Sequence, residues 1–295
     1  MTRSGILILL LIAIITAVFI YKRLIGDSMK KKIDLASLEF SCIKEQNPPL
    51  DKEADEWFQQ ARRIERGEEP GTAKEVLELY EKAVAKDHYK AINNLAKIYT
   101  MGDITETDHH RALKLTERGM QLESPIAYYT MGVNLEQGIG VKPDSAASLV
   151  YLRKSADMGC PPGQYIVGEI LLGDFRQTPD ADRIMGIGIQ MLECSLEQGH
   201  AKAGVELGYY FTTRDEHKER GLVYFQKAAA LGDSDALYAL LSAFEDGTEG
   251  APQEPERAAC YDKLWDELDK DKKKKFPDID QRCPLPEWFY TGKKP

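Results

Sequence analysis

Cysteines, histidines, carboxylates and tyrosines are the side chains with which this chain of 295 residues could do chemistry or make contacts. The cysteines are Cys42, Cys160, Cys194, Cys260 and Cys283, with no C-x-x-C among them, so no compact redox pair or cysteine-rich zinc site is encoded. Disulfides or burial remain. In an antiparallel helix pair, Cys160 at the start of one helix and Cys194 near the end of the next are neighbours, and a bridge fits. Cys260 and Cys283 would similarly pin the C-terminal tail to the last helix. The other reading makes Cys160, Cys194 and Cys260 small core hydrophobes, and both stand at this point. Bridges would call for an oxidising compartment.

The histidines are scattered, and His109-His110 stand side by side where a turn is expected. Adjacent residues seldom point at one metal without further ligands, so neither metal nor cofactor is expected. There is no Walker loop, no G-x-G-x-x-G after a strand, no G-x-S-x-G and no H-E-x-x-H. The carboxylates spread over amphipathic helices as solvated faces, with no pair set apart as acid and base. The chain reads as a non-enzyme with no small-molecule substrate. Its net charge is −9 and its basic residues form no stripe along the body, which argues against nucleic acid. Contact chemistry is left, and a protein partner is the class it suits.

The elements that must position such contacts repeat. Five segments align on one frame whose first position is small: Ala91, Ala127, Gly163, Ala203 and Ala236. Four residues on come Leu95, Met131, Val167, Leu207 and Leu240, followed directly by Ala96, Gly132, Gly168, Gly208 and Leu241. Tyr99, Leu135, Leu171, Phe211 and Phe244 then supply bulk. First positions recur 33 to 40 residues apart, the period of a helix-pair solenoid. Glycine inside a helix costs about 1 kcal/mol against alanine, so its return at one frame position predicts close helix contact. Gly102, Gly138 and Gly247 are the C-caps expected to end first helices, and Gly159, Gly199 and Gly232 close second ones. A degenerate first repeat precedes these: Asp51 caps a helix with Ala54, Trp57, Phe58, Ala61 and Ile64 on one face, and Thr72 caps its partner.

This pattern resembles the Sel-one-like repeat family, a relative of the tetratricopeptide repeats. The clearest copy is Ala127 to Gly159, with its A-x-x-x-M-G, L-x-x-G-x-G-V and K-x-A-x-x-G elements, and Gln226 to Asp233 matches as well. The likeness covers roughly residues 73 to 268 and implies an all-α, right-handed α/α solenoid, here preceded by one transmembrane helix. By analogy with related solenoids, first helices line a concave face. Its third frame positions are Asn93, Tyr129, Tyr165, Val205 and Tyr238, and its seventh are Lys97, Val133, Glu169, Tyr209 and Ser242. The candidate protein-binding residues are Lys97, Tyr129, Val133, Tyr165, Glu169, Tyr209 and Tyr238. Tyrosine at the third position also serves packing in the family, so Lys97, Glu169 and Tyr209 are the better contact candidates.

The ends add an anchor and a cap. Gly5 to Tyr21 carries no charge and no proline, the short end of a membrane span, and no small-x-small cleavage site comes after it. Arg3 precedes it, whereas Lys22, Arg23, Lys30, Lys31 and Lys32 lie beyond it. The positive-inside rule would therefore hold the body in the cytoplasm, against the habit of short N-terminal anchors to export the rest of their chain. The domain reading is a tail at 1–4, an anchor at 5–21, a juxtamembrane tether at 22–50, the solenoid at 51–268 and a C-terminal cap at 269–295. The flanks Phe40-x-Cys42-x-x-Glu45 with Pro48 to Asp51, and Phe276 to Asp280 with Cys283 to Pro286, resemble a proteobacterial subgroup of exported or membrane-tethered repeat proteins. That resemblance implies a single-pass inner-membrane protein with a periplasmic body. Because the subgroup includes immunity partners of type VI secretion phospholipase effectors, it also implies binding and blocking of such an effector. A general envelope adaptor or assembly factor is the alternative it allows.

Overall fold

The computed structural model describes residues 38–173, 178–213 and 218–291. The expected anchor at Gly5 to Tyr21, and the basic stretch after it, lie outside the described residues. Among the described residues there is no strand, and no helix is long and apolar enough to cross a membrane.

The chain divides into two compact units. One runs up to Gly163 and takes in Ile170–Met185; the other holds Gln164–Glu169 and everything from Gly186 on. The first contains α1 (Lys52–Glu65), α2 (Ala73–Ala85), α3 (Tyr89–Met101), α4 (His109–Gln121), α5 (Pro125–Gln137) and α6 (Ser145–Asp157). Helices α7 (Pro161–Gly173) and α8 (Ala181–Glu197) are each shared between the units. The second unit continues with α9 (Ala201–Thr212), α10 (Lys218–Ala230), α11 (Ser234–Asp246), α12 (Pro255–Lys270) and the short α13 (Ile279–Arg282) and α14 (Trp288–Thr291). Within the first unit α1 packs on α2, α3 on α4 and α5 on α6, and in the second α9 packs on α10 and α11 on α12. Each pair also packs on the next through its adjoining helices, α2 on α3, α4 on α5 and α10 on α11.

The frame explains the packing. All five small first positions and all five aliphatic second positions are buried. A Cβ on Gly132 would stand 2.6 Å from Leu152 Cγ, and one on Gly168 2.8 Å from Leu192 Cγ. At Gly208 it would run into the Phe225 ring. The partner helix therefore presses on bare backbone, which is the close approach that small interior residues permit. Gly102, Gly138 and Gly247 sit at φ 75°, 73° and 66° as left-handed C-caps, where a side chain would be strained.

The helix starts follow from their caps. Asp51 accepts the Ala54 N–H at 2.9 Å, and Thr72 and Glu75 form a reciprocal capping box. His109 and His110 do not lie in a turn. They open α4 behind the N-cap Asp108, which accepts the Arg111 N–H at 2.9 Å. An Asp followed by helix formers nucleates a helix there, and both histidines are exposed on it.

Segments outside the helices are also held. From Leu38 the chain runs without regular structure along the first unit. Arg153 donates to the Glu39 carbonyl at 2.6 Å, Arg183 to the Leu38 carbonyl at 3.0 Å, and the Gln46 N–H to the Met158 carbonyl at 3.0 Å. At the other end, residues after α12 fold back on the second unit. Phe276, Ile279, Leu285 and Phe289 are buried there, and Phe289 stacks on Phe244 with centroids 6.1 Å apart. Tyr290 stays exposed.

Cysteine geometry decides differently for the two candidate bridges, and for Cys160 the buried-thiol reading holds. Cys260 and Cys283 form one, with Cα atoms 5.9 Å apart. The Cys160–Cys194 bridge does not exist: Cys160 is a free, buried thiol, while Cys194 is oxidised. Cys160 sits just before α7 and points into the first unit. Burial pushes its thiol up to about 12, and the Ser155 hydroxyl works weakly the other way.

Candidate protein-binding face

Each candidate contact residue can be followed to its surroundings. In the first unit, Lys97 on α3 is exposed, while Tyr129 and Val133 on α5 are half-buried. Burial first, then the nearby Cys160, raise the Tyr129 phenol, which marks it as a packing residue. Neighbouring first helices are also joined here, where the Thr130 hydroxyl donates to Asn93 Oδ1 at 3.1 Å.

In the second unit, Tyr165 on α7 lies on the His200 ring, centroids 5.1 Å apart, so it too is packing. His200 is held below its ordinary value by burial and then by Lys202. Glu169 is exposed. Tyr209 and Tyr238 differ from the rest, being 49% and 55% exposed although both are large rings.

Those two rings are fixed in place. Phe225, seated on Gly208, meets Tyr209 edge to face at 5.0 Å, and Trp265 of α12 meets Tyr238 edge to face at 5.3 Å. Such edge contacts orient an aromatic without burying it. Neither phenol hydroxyl has a hydrogen-bond partner among the described residues. Tyr209 is raised by partial burial, then by the charges of Asp235 and Asp233, with Tyr238 contributing last. Asp233, Asp235 and Tyr238 thus lie near enough to Tyr209 to act on its phenol. Sequence reading passed over Trp265, on a second helix, because its spacing from Tyr261 and Leu268 matches the buried stripe; yet it is only half-buried.

Elsewhere, charged groups satisfy one another. A groove of about 440 Å³ in the second unit is lined in part by Glu193, Tyr224, Lys227, Asp280 and Tyr290. Its Glu193 takes the Tyr224 hydroxyl and Arg220, the latter at 3.1 Å. Burial, then the bond to Glu193, pushes Tyr224 up to about 12, too high for proton transfer near neutrality. Among the described residues no three His, Cys, Asp or Glu side chains converge as a metal site.

Paired helices with small residues at their contacts define an all-α repeat fold. The Sel1 repeat model matches residues 90–120, 125–160 and 198–233, so those segments are Sel1 repeats. It is similar in structure to immunity protein PA5088 from Pseudomonas aeruginosa, at 25% identity and a TM-score of 0.68 over 84% of this chain and 94% of that one. It is likewise similar to immunity protein Pa5087 of the same organism, at 28% identity and a TM-score of 0.67 over 84% and 95% of the two chains. Chitin synthase regulatory factor 3 of Schizosaccharomyces pombe is 24% identical over 162 residues. That match takes in 52% of this chain but spans only 17% of the yeast protein's length.

Proposed function

We propose that this protein is a non-enzymatic immunity protein, which binds a secreted phospholipase effector of a type VI secretion system and blocks its active site. The observation that carries the reading is its likeness to two immunity proteins over nearly the whole described chain. The exposed tyrosines of the second unit offer the contact area such binding needs. In this reading Gly5 to Tyr21 anchors the protein in the inner membrane, and the repeat body faces the periplasm, where a lipase would attack. The Cys260–Cys283 bridge supports an oxidising location.

The test is co-expression with a lipase encoded beside the gene. The protein should capture the lipase, inhibit its release of fatty acid and protect the cell, and deletion should remove protection. Absence of both capture and protection would sink the reading. A C-terminal alkaline phosphatase fusion should be active; an inactive fusion, with a fluorescent-protein fusion that glows, would put the body in the cytoplasm. The alternative of an envelope adaptor draws on the shared stretch in a yeast regulatory factor. Capture of resident membrane proteins without any lipase would favour it.

A further inference from the structure

The exposed rings of Tyr209 and Tyr238, with Trp265 against the latter, have carboxylates around them. Asp233 and Asp235 stand at the start of α11 beside Tyr209, and Asp262 is exposed one helical turn before Trp265. Helix α11 contains no lysine or arginine, and on α9 the single cation is Lys202, about two turns from Tyr209; α12 carries Arg257, paired with Glu254, and the exposed Lys263 and Lys270. Rings open on one face and flanked by carboxylates suit a cation, which gains from the ring quadrupole and from the acids together. Uncharged apolar segments would use the rings but leave the carboxylates to be desolvated unpaired, which is costly.

We propose that the partner protein docks on this face through a lysine- or arginine-bearing loop, whose cation lies against Tyr209 and Tyr238 between Asp233, Asp235 and Asp262. The proposal rests on the reading of the chain as a protein-binding scaffold and narrows it to one place and one partner chemistry. Trp265 holds Tyr238 in position from the side. The carboxylates steer the approach, and the rings set how long the loop stays.

The test titrates the intact protein by calorimetry with three octapeptides: all arginine, all glutamate, and alternating leucine and serine. The arginine peptide should bind and the other two should not. Replacing both tyrosines, Tyr209→Ala with Tyr238→Ala, should weaken it about tenfold, because exposed aromatic anchors carry effects of that size. Tyr209→Phe with Tyr238→Phe keeps the rings and should keep the binding, which separates lost contact from lost fold. Asp235→Asn should weaken it severalfold, whereas Glu117→Gln, an exposed acid on α4, should leave it unchanged. Equal binding by every variant would reveal only diffuse attraction to an acidic protein and overturn the proposal. No binding of the arginine peptide, or tighter binding of the leucine–serine peptide, would overturn it too, as would self-association abolished by the tyrosine pair. Lipase capture is scored separately on the same variants. Capture that survives loss of the tyrosines refutes this docking face and leaves the immunity reading intact; arginine binding without any capture does the reverse.

Discussion

Cys160 and Tyr209 are both frame-adjacent residues with reactive or adhesive side chains, yet one is sealed and the other offered. Cys160 has no exposed surface. Its thiol is raised from 9.0 to about 12 chiefly by burial, so folding favours the neutral form. That contribution is fully present below the unfolded value near 9 and is lost as pH rises toward 12. Native protein at pH 8 should therefore give no reaction with an aromatic disulfide reagent, and one equivalent after denaturation in urea, since the other cysteines are bridged. Rapid labelling of the native chain would show the thiol to be open. The sequence marks where Cys160 sits along a helix pair but not which neighbour its side chain faces, so it leaves a bridge to Cys194 and a buried thiol equally open, and the structure shows the buried thiol.

Glycines inside the helices differ in what surrounds them. At Gly208 any side chain must displace Phe225, which also supports Tyr209. Gly208→Val should lower stability by about 1–3 kcal/mol through overpacking, read as a lower urea midpoint, and weaken binding at Tyr209. Gly186 lies inside α8 with nothing near its missing Cβ. Gly186→Ala should raise stability by about 0.5–1 kcal/mol, the helix-propensity difference, read as a higher midpoint. Equal effects at both positions would mean that propensity, not packing, governs them. Recurrence in the repeat frame singles out Gly208 and omits Gly186, so here the periodic pattern already contained the distinction.

At the scale of the molecule, a stack of repeats must close its last apolar face, and the second unit does so with its own tail. Cys283 is bonded to Cys260, and its carbonyl accepts Gln226 at 3.0 Å while the buried Tyr261 hydroxyl donates to Gln226 at 2.7 Å. Glu267 on α12 adds an exposed tie to Arg282 and Lys274, the latter at 2.8 Å. Opening the bridge by Cys260→Ser with Cys283→Ser should cost about 3 kcal/mol for a loop of this length, seen as earlier urea unfolding of the second unit. Unchanged unfolding would make the bridge incidental. Arg282 first, then Lys274, hold the Glu267 carboxyl down at about 2. A depressed carboxyl stabilises the fold above its unfolded value near 4.5 and loses that as pH falls through 2. Amide exchange after Lys270 should thus quicken between those values in native protein, and Glu267→Gln should remove the dependence.

Spacing of small and large residues was enough to specify the helix pairs, their caps and their buried stripes, because each rests on neighbours within one or two turns. The Cys260–Cys283 bridge was one of two readings the spacing allowed, and the structure decided for it. Tertiary structure alone decided that Tyr129 and Tyr165 pack while Tyr209 and Tyr238 stay open. It decided also that Trp265, from a second helix, and Asp233 and Asp235 join that surface. Whether a ring is buried depends on what the next helix places over it, and no periodicity within one segment encodes the neighbour's side chains.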